Sequence, residues 1–147
     1  MKVVIQRVSF ASVEIEGDIY SKISEGLLVF LGVEKEDSEE KADYMARKII
    51  DLRIFSDDIG KMNLSVKQIK GELMVISQFT LCTLEKSGNR PSFFNAENPE
   101  RAEKLYEYFI SRLKNNYISG NVYSGKFAAL MKINLSNDGP VTIILER

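Results

Sequence analysis

"GLLVFLGV", from Gly26 to Val33, is an unbroken apolar run of strand length. Neither parity of the run carries a polar side chain, so it reads as a strand buried on both faces. The segments before it are strands too. Val3 to Ile15 alternates, Glu16-Gly17-Asp18 is a hairpin signal, and Ile19 to Ile23 returns. The three form an N-terminal antiparallel set.

Helical spacing starts after Val33. In "DSEEKADYMARKIIDL", Ala42, Met45, Ile49 and Leu52 fall on one face. Asp37 is the expected N-cap, with Glu40 three residues on completing a capping box. A turn-rich link, "SDDIGKMN", leads to "ELMVISQFTLCT", the strongest strand in the middle of the chain. "SGNRPSFFNAEN", Ser87 to Asn98, is a long irregular loop, a length often functional inside a domain. It closes on Asn98-Pro99, an N-cap followed by an N1 proline. The helix beyond places Ala102, Leu105, Phe109 and Leu113 on one stripe, and Asn115-Asn116 ends it.

The last third returns to β-structure. Phe127, Ala129, Met131, Ile133 and Leu135 share one parity, and Lys132, Asn134 and Ser136 the other. One face in the core and one in water is expected. "SNDGP" is read as a turn before a final strand. The order is that of one α+β domain over residues 1–147, with a largely antiparallel, barrel-like sheet core and two main helices.

Composition restricts the chemistry. The chain contains no histidine, which removes Ser-His-Asp and Cys-His catalysis. It contains one cysteine, Cys82, so there is no intrachain disulfide and no structural zinc site. Cys82 lies in an apolar run and reads as a small buried hydrophobe. The formal net charge of −1 gives no basic field of the kind that marks general nucleic-acid binders. "MKVVIQRVSF" lacks a signal-peptide core, and no stretch approaches a membrane span, so the cytoplasm is the default compartment.

Several motifs invite a chemical reading. "GKMN" fails as a phosphate-binding loop, because Phe55 stands where that motif needs glycine. Asp57-Asp58 alone fall short of the convergent oxygens a hard cation requires. Glu34, Glu36, Asp37, Glu39 and Glu40 suit the start of a helix. In "SQFTL", Ser77, Gln78 and Thr80 interrupt an apolar segment: either the strand end rises to the surface, or these groups meet a ligand. Arg90, Phe93 and Phe94 on the long loop can hold a phosphate and stack a base, or tuck back onto the core. Gly139-Pro140, two poor strand residues at the mouth of a strand, read either as a simple turn or as a cis peptide bond.

"RIFSD…GKMN", "SQFTL", "NRPSF" and "NDGPVT" occur together in this order, after "IQRVSFASVEIEG" and "GLLVFLGVEKED". The ordered set resembles the D-aminoacyl-tRNA deacylase family along essentially the whole chain. The resemblance implies a homodimer with active sites at the subunit interface. It implies a substrate tRNA carrying a D-amino acid, or glycine mischarged on the tRNA for alanine, esterified to the 3'-terminal adenosine. Hydrolysis releases the tRNA and the amino acid, with no cofactor and no metal. The resemblance assigns Ser77, Gln78, Phe79 and Thr80 to the catalytic pocket. It makes Gly139-Pro140, joined by a cis bond, a chirality gate reaching into the partner's pocket. Arg90, Phe93 and Met131 complete the expected substrate-binding set, with Lys86 as a modest phosphate contact. An activated ester needs little machinery, so a positioned water suffices, with backbone N–H groups around Phe79 and Thr80 as the expected oxyanion site, Gln78 orienting the substrate and the terminal ribose hydroxyl assisting proton transfer. Two alternatives stay open: Thr80 as a covalent nucleophile, and an RNA- or nucleotide-binding module without catalysis.

Overall fold

The computed structural model describes residues 1–84, 89–117 and 121–147. Its strands are β1 (Lys2–Ile15), β2 (Asp18–Ile23), β3 (Gly26–Gly32), β4 (Arg53–Ser56), β5 (Met62–Ser65), β6 (Glu72–Ser77), β7 (Val122–Ser124) and β8 (Lys132–Glu146). Its helices are α1 (Glu39–Ile50), the short α2 (Val66–Ile69) and α3 (Pro99–Asn116). The main sheet runs β2-β1-β3-β6-β7, with β8 also on β1. β1 pairs antiparallel with β2, β3 and β8. The β3–β6 and β6–β7 pairs are parallel. The sheet curls into a nearly closed barrel, and Ser21 Oγ donates to the Ser124 carbonyl (3.0 Å) where β2 meets β7.

The apolar run of β3 has the predicted environment. Leu27, Val29 and Leu31 join the core under α1 and α3, while Leu28 faces a second core inside the barrel. β6 divides the same way, with Leu73 and Val75 toward the helices and Met74 and Ile76 inward. Both helix stripes are observed: Ala42, Met45 and Ile49 of α1 are buried, as are Ala102, Leu105, Phe109 and Leu113 of α3. Leu52, just past α1, is partly buried against the same core. Asn98 caps α3, its side chain accepting from the Arg101 N–H at 3.0 Å.

Several expectations are corrected or refined. The α1 cap is Ser38, whose Oγ accepts from the Lys41 N–H. Asp37 is instead buried at 1% exposure, and its Oδ1 lies 2.6 Å from the Met1 ammonium. The "SDDIGKMN" link is the tip of a hairpin, β4–β5. There the Asp57 carboxylate accepts from the N–H groups of Ile59 and Lys61, so it closes a turn. The central strand stops at Ser77, and Phe79–Cys82 form a 3₁₀ turn, which ends the strand parity of "SQFTL". Finally, Phe127 to Met131 are irregular, and "SNDGP" does not turn the chain. β8 runs through it as one strand of 15 residues, paired with β1 on both sides of 138–141. The pairing absorbs the Gly139-Pro140 pair at the register shift between Gln6, opposite Thr142, and Val8, opposite Asn137, and the Gly139-Pro140 bond is cis.

No helix among the described residues is long and apolar enough to cross a membrane.

Glu34 ties the N-terminal region to the long loop. Its Oε2 lies 3.3 Å from the Met1 ammonium, and its Oε1 accepts from Asn95 Nδ2 at 2.6 Å. Burial opposes its ionisation, but the Met1 ammonium and the Asn95 amide prevail and hold its carboxyl below the ordinary range. A lowered folded-state pKa gives stability that is complete above the unfolded value, about 4.3. That stability is lost as pH falls through the lower folded value. Glu34→Gln is therefore expected to destabilise the protein at pH 7 and to flatten its stability between about pH 5 and 3, where the unfolded carboxyl titrates. Urea unfolding across that range checks this; an unchanged slope in the variant contradicts it.

Candidate active site

A cavity of about 560 Å³ opens where the end of β6 meets the start of α3 and the 127–131 segment. It is lined by Ser77, Gln78 and Phe79 on one side, by Ala96, Glu97, Pro99 and Ala102 on another, and by Phe127 to Met131 on a third. Hydrogen bonds to the edge of β3 fix the 3₁₀ turn. The Gln78 N–H donates to the Leu31 carbonyl (2.8 Å), and Cys82 Sγ to the Val33 carbonyl (3.4 Å). Burial, followed by the neighbouring Glu34 charge, pushes the Cys82 thiol up to about 11, so it is neutral and inert at physiological pH.

The first N–H groups of a helical turn have no partner within it. In this turn they belong to Phe79, which lines the cavity, and to Thr80 after it. Gln78 Nε2 donates to Thr80 Oγ1 (2.5 Å), which fixes the amide against the turn. Phe79 is exposed and meets Phe93 edge-on, with ring centroids 5.0 Å apart. Glu97 is the single ionisable residue among the described lining residues. No group of three or more Cys, Asp or Glu side chains among the described residues could hold a metal.

The expected residues therefore separate. Ser77, Gln78, Phe79 and Met131 line the cavity together. Thr80 touches it through Gln78, and Phe93 through Phe79. Arg90 is exposed on the loop and is not a lining residue. Lys86 lies outside the described residues. Gly139 and Pro140 are exposed in β8 and do not line the cavity of their own chain.

A family model described as D-Tyr-tRNA(Tyr) deacylase matches residues 4–146. The chain belongs to the D-aminoacyl-tRNA deacylase family. A relative of that name from Thermosipho melanesiensis is 50% identical over 146 residues, covering 99% of this chain and 97% of its own length. A solved structure named c-Myc DNA Unwinding Element Binding Protein superposes with a TM-score of 0.96 at 42% identity, over 100% of this chain and 99% of that one. A probable eukaryotic D-amino acid tRNA deacylase shares the fold, with a TM-score of 0.85 at 15% identity over 98% and 97% of the two chains.

The sequence reading missed Arg7. In this family member it is 9% exposed and braces the Gly139 region from beneath. Its Nε donates to the Asp138 carbonyl (3.1 Å) and lies 3.1 Å from that residue's carboxylate. Its Nη1 donates to the Ile54 carbonyl (2.6 Å), fixing the guanidinium at both ends. The signal was available: Arg7 shares the parity of Val3 and Ile5, a charge on an otherwise apolar face. Glu97 and Phe127 to Leu130 line the cavity but were missed as site residues, because loop composition and strand parity gave them other readings; Met131 beside them was expected.

Proposed function

We propose that this chain hydrolyses the ester between a D-amino acid, or glycine, and the 3'-terminal adenosine of tRNA, as one deacylase domain acting in a homodimer. The 3₁₀ turn at the cavity wall carries this reading. The Phe79 and Thr80 N–H groups open this turn without partners inside it, and Phe79 lines a cavity whose described wall carries no histidine and no cysteine. The terminal nucleoside and its aminoacyl group enter the cavity. Those N–H groups receive the developing oxyanion, an electrostatic effect that acts on the transition state. Gln78, held by Thr80, orients the ester. Water attacks, and the free ribose hydroxyl of the adenosine assists proton transfer, replacing the general base the chain lacks. Charged tRNA places this work in the cytoplasm.

Chirality is read by the Gly139-Pro140 segment of a second copy. Its backbone carbonyls crowd one position on the substrate α-carbon. An L-residue must put its side chain there; a D-residue or glycine puts hydrogen there. This is selection by exclusion. Two observations support a shared site: the segment lies outside its own chain's cavity, and none of the 15 residues of β8 is fully buried. Leu135 and Ile144 on that strand are exposed apolar surface of the kind an interface covers. Sedimentation at assay concentration is expected to give a dimer, which at typical sizes buries more than about 1,000 Å². A fully active monomer contradicts the shared site.

Thr80→Ala tests water against a covalent threonine. The variant keeps the backbone N–H and loses the hydroxyl that positions Gln78. It is expected to retain deacylation of D-tyrosyl-tRNA within about tenfold, the effect of losing one hydrogen bond. Complete loss of turnover with unchanged substrate binding, or an acyl-enzyme trapped on Thr80, assigns the attack to threonine. The second reading, nucleic-acid binding without catalysis, is favoured by the name of the 42%-identical neighbour alone. Tight tRNA binding with no ester hydrolysis by the wild-type protein selects it.

A further inference from the structure

We infer that Glu97 reads the base of the terminal nucleoside by accepting a hydrogen bond from the exocyclic amine of adenine. This rests on the proposed deacylase reading and adds the group that selects adenosine. The Glu97 side chain is 8% exposed and is the one ionisable group among the described lining residues, beside the apolar Ala96, Pro99, Ala102 and Phe127. An ionised carboxylate offers about four acceptor sites. Three are filled: Oε1 accepts from the Asn98 N–H (2.8 Å) and Asn98 Nδ2 (3.0 Å), and Oε2 from Arg101 Nη1 (2.7 Å). One acceptor site is left on a carboxylate at the cavity wall, and a buried acceptor is satisfied by a ligand that donates.

The backbone sets the distance from the reacting end. The Gln78 N–H hangs from the Leu31 carbonyl, and the Glu97 N–H from the Val33 carbonyl at 3.0 Å. Those carbonyls are two residues apart on one extended edge, about 7 Å. Glu97 therefore sits well away from the oxyanion N–H groups. The substrate's α-ammonium is bonded to the carbon next to the reacting carbonyl and belongs beside Gln78. The base lies at the far side of the ribose, and adenine turns an N–H donor outward there. Hypoxanthine, with a carbonyl at the same place, turns an acceptor toward the carboxylate.

The experiment compares the D-tyrosyl esters of adenosine and inosine, with D-tyrosyl-tRNA as reference. The wild-type protein is expected to favour the adenosine ester by at least about tenfold in kcat/KM, the value of one hydrogen bond to a charged acceptor, chiefly through KM. Glu97→Gln keeps an acceptor for Asn98 and gains an amide donor; its preference is expected to fall to near unity or to favour inosine. Arg101→Ala removes the ion pair and leaves the carboxylate, so it keeps the adenosine preference. A wild-type ratio near one overturns the inference, as does full discrimination in Glu97→Gln. So does an Arg101→Ala variant that behaves like Glu97→Gln, since that assigns the effect to folding of the α3 start. Failure of the wild-type protein to hydrolyse D-tyrosyl-tRNA overturns the deacylase reading itself.

Discussion

Replacing Gly139 with alanine is expected to lower deacylation of D-tyrosyl-tRNA by about 100-fold while leaving the protein folded. Gly139 has φ +131°, a conformation that L-residues rarely adopt. A Cβ built there meets Arg7 Nη2 at 2.9 Å and Val141 Cγ2 at 2.8 Å. Arg7 cannot retreat, because Nη1 is bonded to the Ile54 carbonyl and Nε to the Asp138 carbonyl. The 138–140 backbone must move instead. A displacement of about 1 Å at a positioning group costs on the order of 100-fold in rate. The strain costs about 1–3 kcal/mol, less than the 5–15 kcal/mol that holds a typical domain together. The check is single-turnover kinetics beside thermal unfolding of the same sample. Wild-type rates in the variant contradict a functional role for the segment; loss of folding contradicts the assignment of the effect to the site.

Gly26→Ala is expected to act in the opposite way, on folding alone and with the larger effect on stability. Gly26 opens β3 between Val8 of β1 and Glu72 of β6. An added Cβ would lie 1.9 Å from the Glu72 carbonyl oxygen and 2.7 Å from that residue's backbone nitrogen. Both are backbone atoms of a paired strand, so no side-chain rotation relieves the clash. The β3–β6 pair must separate at its start, under both hydrophobic cores. Losses above about 4 kcal/mol arise from defects of this kind. Urea unfolding or expression in soluble form measures it; a midpoint within error of wild type contradicts the packing described for β3.

The contrast between these two glycines also explains what was legible in the sequence. Gly26 stands at the head of a run whose burial follows from composition alone. Helix α3 is equally local: Asn98, Pro99 and four apolar residues at helical spacing specify it without reference to the rest of the chain. The β8 strand is different. Asn137-Asp138-Gly139-Pro140 has turn chemistry, and only pairing along the length of β1 overrides it. That pairing joins residues more than a hundred positions apart, which no local pattern reports. The same holds for Asp37, a good cap by type that is drawn away by the Met1 ammonium. Phe127 to Met131 alternate like a strand but wrap the cavity as irregular chain, since no neighbouring strand pairs with them. Of the site, the "SQFTL" residues were legible as polar groups in an apolar context. Arg7 and Glu97 needed the fold, because their roles depend on what lies across from them.

The most direct measurement is the first-order rate at which purified wild-type protein deacylates D-tyrosyl-, L-tyrosyl- and glycyl-tRNA under identical conditions. Under the proposed gate, fast release is expected from the D-tyrosyl and glycyl substrates and none above the spontaneous rate from the L-tyrosyl one, because only an L side chain would meet the Gly139-Pro140 carbonyls. Equal rates on D- and L-tyrosyl-tRNA, or no hydrolysis of either, would contradict it.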